Sequence, residues 1–106
     1  MVAMIAFDDG EVTMRSGYFK IVIATLRARS TDPADLEVCD DSAAANCLWV
    51  DQIPAARKCA VVRTLHGVLD ECLGSSDFAG NGTALFEFEM AKLELTERYP
   101  TCFYTA

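Results

Sequence analysis

The sequence predicts an α+β domain, an N-terminal antiparallel β-meander packed on a helical layer centred on residues 54–73. Three observations lead there. Two β-type runs flank the polar turn Asp8-Asp9-Gly10. Apolar residues recur at helical spacing between Pro54 and Leu73. Asp32-Pro33, Pro54, the Gly74 to Gly82 loop and Pro100 mark where the helical runs start and stop. The alternative is a mostly helical bundle with a short N-terminal hairpin. A chain of 106 residues with 52% hydrophobic side chains can fill one core, so residues 1–106 are read as a single domain.

Val2–Phe7 and Glu11–Arg15 form the hairpin, with Gly10 free to take the positive φ of a tight turn. Gly17 separates a third run, Tyr18–Arg29. Ile21, Val22, Ile23 and Thr25 are β-branched there and favour a strand with Phe19, Ile21 and Ile23 on one face. As a helix the same run places Lys20, Ala24 and Arg27 on one side, opposite Phe19, Val22, Ile23 and Leu26. The β-branched residues favour the strand.

Asp32-Pro33 starts the next element. Asp32 is a suitable N-cap, proline fits the first helical position, and Asp35 stands where a capping-box acid would. Leu36, Cys39, Ala43, Cys47 and Val50 extend the helical pattern to about Trp49, which is read as a core or hinge anchor.

In the central helix Ala55, Cys59, Val62, His66, Leu69 and Leu73 form the middle of an apolar face. Val61, Leu65, Val68 and Cys72 widen it to about half the circumference, so this helix packs against more than one neighbour. Gly74 to Gly82 is a loop. Ala84, Leu85, Phe88, Ala91, Leu95 and Tyr99 then follow helical spacing up to Pro100, whereas strand alternation across 83–99 loses register at Lys92.

The formal charge is −7, from 9 basic and 16 acidic side chains. Repulsion from phosphates argues against direct nucleic-acid binding and against anionic lipid surfaces. No Lys or Arg occurs between Arg29 and Arg57, an interval that holds Asp32, Asp35, Glu37, Asp40, Asp41 and Asp51. Within it, Asp35, Glu37, Asp40 and Asp41 are the candidate partner-binding residues, suited to a basic protein surface.

Five cysteines at 39, 47, 59, 72 and 102 show no CxxC spacing, and an odd count fits a closed disulfide framework poorly. They read as small buried hydrophobes in a reducing cytoplasm. On that compartment argument the Asn81-Gly82-Thr83 sequon is accidental. The opening MVAMIAF lacks a basic n-region, and no apolar stretch is long enough to span a bilayer.

His66 is the only histidine. Asp70 follows one turn later and can reach it, which makes His66 and Asp70 the candidate catalytic pair. Cys59 shares their face, but seven residues separate it from His66, about 10.5 Å along an ideal helix, too far for a dyad. Two adjacent ligands do not make a metal site, and no cofactor motif is present. Methionines and aromatics, among them Met1, Met14, Phe86 and Met90, gather toward both ends and suggest a second core layer or a homodimer surface. Two functions follow as expectations. The first is a small acidic cytoplasmic protein that binds another protein or itself. The alternative is a small-molecule binder or enzyme with a pocket between sheet and central helix near His66.

Overall fold

A computed structural model describes residues 1–104. It is an α+β domain with a three-stranded sheet on four helices. In order these are β1 (Val2–Phe7), β2 (Gly10–Arg15), α1 (Ser16–Arg29), α2 (Pro33–Ala45), β3 (Cys47–Trp49), α3 (Ala55–Gly74) and α4 (Gly82–Arg98). Short 3-10 turns follow β3, α3 and α4.

The predicted hairpin forms with Phe7 opposite Gly10, leaving Asp8 and Asp9 as the turn. Gly10 does not take the positive φ expected of it. A Cβ there would stand 2.9 Å from the Arg98 guanidinium, so the glycine leaves room for that side chain. Arg98 in turn pairs with Asp9 and with Glu94.

The third strand is not the predicted one. Residues 16–29 are helical, and their burial decides the matter: Val22 is fully buried while Ile21 is 45% exposed. Strand alternation would require the reverse. Phe19, Val22, Ile23 and Leu26 face the core as one helical stripe, and packing on α2 and α3 overrides the β-propensity of three adjacent β-branched residues. The sheet is completed by Cys47–Trp49, parallel to β1 on its far side, giving the order β2-β1-β3. A meander is therefore replaced by a mixed sheet whose β2 edge carries no third strand among the described residues.

The switch from α2 to β3 turns on Asn46. It adopts the left-handed conformation (φ 56°), ending the helix four residues before the expected Trp49 boundary. Its side-chain amide donates to the Val2 carbonyl at 3.1 Å and to the Ser16 hydroxyl at 2.8 Å, tying the sheet to the start of α1. At the other end of α2, Asp32 accepts from the Ala34 amide at 2.8 Å as an N-cap should.

Helix α3 runs through the middle of the helical layer and buries Val61, Val62, Leu65, Val68, Leu69 and Cys72. Its buried face is thus shifted toward the residues expected to flank it, while Cys59, His66 and Leu73 are half-buried and Ala55 is exposed. Helix α4 buries Ala84, Phe88, Ala91 and Leu95 against it. Asn81 caps α4 by accepting from the Ala84 amide, and its NH2 group donates to the Tyr18 hydroxyl. The sequon asparagine is thus occupied by the fold, a structural reason for its presence that needs no compartment argument. No helix among the described residues is long and apolar enough to cross a membrane.

One cysteine assignment changes. Cys59 and Cys102 form a disulfide between the start of α3 and the turn after α4. Cys39, Cys47 and Cys72 remain free and buried, and burial pushes each thiol above its ordinary pKa. With two cysteines bonded, cysteine usage no longer argues for a reducing compartment. A thiol count tests the assignment. Native protein should react slowly with an aromatic disulfide reagent, denatured unreduced protein should show three thiols, and denatured reduced protein five. Five thiols without reductant would remove the bond.

Candidate functional site

Two regions were singled out by sequence, and the structure treats them differently. His66 is half-buried on α3, with its ring tilted against Phe103 at a centroid distance of 4.9 Å. Asp70 is exposed and does not hydrogen-bond to His66. Instead it accepts from Lys92 of α4 at 2.5 Å. That bond holds the Asp70 carboxyl below the usual carboxylate range, partial desolvation opposes it, and the charges of Lys92 and His66 add smaller contributions in the same direction as the bond.

The expected His66–Asp70 couple is therefore two separate contacts, Asp70 with Lys92 across the α3–α4 seam and His66 with Phe103 of the C-terminal turn. Beside them lies an open cleft of about 220 Å³ lined by His66, Glu89, Lys92, Leu93 and Thr96. It belongs to the α3–α4 seam, whereas the expected pocket lay between the sheet and the central helix. Among the described residues, no three His, Cys, Asp or Glu side chains converge as a metal site would require.

The acidic interval divides in two. Asp35 is almost fully buried and receives two bonds from the Arg57 guanidinium, at 2.6 and 3.2 Å, so it is not the free capping-box acid expected. Asp40 accepts from Arg27 at 2.8 Å. Both charges are matched within the chain and are poorly placed to serve a partner. Glu37, Asp41 and Asp51 are exposed, and no ion pair holds them among the described residues.

Trp49, expected as a core or hinge anchor, is not in the core. It sits at the end of β3, on the sheet face turned from the core, and remains 38% exposed. Its row across the sheet is Trp49, Ala6 and Glu11. Trp49 joins Val38, Asp41, Ser42, Gln52 and Ile53 around a pocket of about 160 Å³. The Ser42 hydroxyl donates to the Val38 carbonyl, so Asp41 is the charged group of the pocket and Gln52 its free amide. The sequence offered a weak signal for this site: the only tryptophan falls inside one of the two long intervals without a cation, the other running from Arg63 to Lys92.

No family model, curated protein or solved structure matches this chain.

Proposed function

We propose that this chain is a small interaction protein that receives a basic segment of another protein on the Trp49 face. One observation carries the reading: an exposed tryptophan lines a pocket beside a free carboxylate, Asp41, with Glu37 and Asp51 exposed on the neighbouring elements. An indole face attracts ammonium and guanidinium groups, and an adjacent carboxylate adds direct charge complementarity. Tryptophan is also the residue most often found at the energetic centre of protein interfaces.

Because Trp49 is the only tryptophan, its emission reports on the site directly. Titration with a Lys/Arg-rich peptide should shift or quench that emission, with an affinity that falls as salt rises. Trp49→Ala and Asp41→Lys should each weaken binding on the order of tenfold, about 1–2 kcal/mol. Asp35 is unsuitable for this test, since its loss would strand Arg57 in the fold. Binding that ignores salt and survives both substitutions would overturn the reading.

The alternative is a small-molecule site in the α3–α4 cleft, supported by His66 and Lys92 sharing an open rim. Against it, Lys92 already neutralises Asp70 and the His66 ring packs on Phe103. The interaction reading therefore has the better support.

A further inference from the structure

The outer edge of β2 is open, and its geometry can be read from the register. Phe7 and Gly10 close the two-residue turn, so the residues of β2 that bond to β1 are Gly10, Val12 and Met14. The bond from the Ser16 amide to the Met1 carbonyl continues the same alternation. The N–H and C=O groups of Glu11, Thr13 and Arg15 therefore point away from β1. The Arg15 amide is met by the Glu87 carboxylate at 3.0 Å, which closes that end of the edge. Glu11 and Thr13 have no main-chain partner on that side among the described residues.

An unpaired strand edge is a template for another strand. Its own sequence specifies the occupant. Antiparallel pairing centred on Thr13 sets Thr13 opposite Thr13 and Glu11 opposite Arg15 on both sides of a two-fold axis. Glu11 and Arg15 are both exposed and lack side-chain ion pairs of their own among the described residues. Opposite charges and paired threonines are favourable cross-strand neighbours. Two bonds would form between the threonines, and at each end the Glu11 amide would donate to an Arg15 carbonyl while the Arg15 amide exchanges the Glu87 carboxylate for the Glu11 carbonyl.

A second feature faces the same way. Phe86 and Met90 on α4 are one turn apart, at i and i+4, and Phe86 is 66% exposed. Phe86 and Met90 line the groove of about 350 Å³ between α4 and the β2 edge, together with Val2 and Val12. A two-fold at Thr13 brings this stripe toward its symmetry mate beneath the joined sheet.

We propose that a second copy of this chain pairs along β2, forming a symmetric dimer with a continuous six-stranded sheet. The assembly is isologous, so each residue acts twice. It uses the β2 edge of the sheet and leaves Trp49, on β3 at the opposite edge, available.

The test is sedimentation equilibrium at about 0.15 M salt, where charges more than ~8 Å apart are largely screened. Wild type should associate reversibly to a dimer. Glu11→Arg and Arg15→Glu should each weaken the dimer on the order of tenfold, because each places like charges opposite one another twice. The double exchange, Glu11→Arg with Arg15→Glu, should recover it. Thr13→Pro removes an outward amide that bonds to nothing within the chain, so it should give a folded monomer. Should that variant misfold, the charge exchange still decides. A wild type that stays monomeric at millimolar concentration would overturn the proposal. So would a dimer indifferent to both single reversals, or one that the double exchange fails to recover.

Discussion

Replacing Phe88 by alanine should destabilise the domain by about 3–5 kcal/mol, the range for deleting a fully buried aromatic side chain. Phe88 has no exposed surface and is one corner of an aromatic triad. Its ring meets Phe78 edge-on at 5.0 Å and Tyr18 at 6.0 Å, while Tyr18 and Phe78 lie 5.9 Å apart. The triad joins α1, the turn after α3 and α4, so the cavity left by truncation would open where three segments converge. Little can collapse into it, because the Tyr18 hydroxyl is held by Asn81 and Asn81 caps α4. A domain of this size has roughly 5–15 kcal/mol of total stability, so the variant should unfold at much lower urea with an unchanged m-value. Phe88→Leu should lose less, since it keeps more of the volume. A loss below about 1 kcal/mol for the alanine variant would show that the triad is not packed as described.

The parts of this fold legible in the sequence are those set by local pattern. The hairpin is signalled by its turn, and α3 and α4 by apolar stripes long enough to exclude strands. The misreading of 18–29 has a definite cause. Ile21, Val22 and Ile23 satisfy both periods in a short window, and only the neighbours α2 and α3 choose between them. That choice has consequences for function, because a strand at 18–29 would have covered the β2 edge that now lies open. Strand β3 was illegible for a different reason. Three residues pair in parallel with a strand over forty positions earlier, and no local pattern encodes that partner. The candidate sites follow the same division. Asp35, Glu37, Asp40 and Asp41 look equivalent in sequence, yet Arg57 and Arg27 neutralise two of them through tertiary contacts. His66 and Asp70 have the spacing of a pair, but Lys92 from another helix takes the carboxylate. Local spacing identified groups able to meet, and packing determined which of them did.

Reduction of the Cys59–Cys102 bond should leave the domain folded but less stable by about 2–4 kcal/mol. The bond joins residues 43 apart, and closing a loop of that length in the unfolded chain accounts for about 4 kcal/mol on the chain-entropy argument. The effect acts chiefly on the unfolded state, since the native contacts around the bond do not depend on it. The Arg63 guanidinium donates to the Cys102 carbonyl at 3.0 Å, and Phe103 rests on His66. Both contacts hold the C-terminal turn against α3 after the sulfurs separate. Urea unfolding with and without reductant should therefore differ in midpoint while the native spectra agree. Cys59→Ser with Cys102→Ser should reproduce the reduced protein. Arg63→Ala should cost more in the reduced chain than in the oxidised one, because the hydrogen bond and the disulfide restrain the same turn. Equal costs in the two states would mean that the turn is anchored elsewhere. An oxidised and a reduced protein of equal stability would exclude the bond as a structural element of this fold.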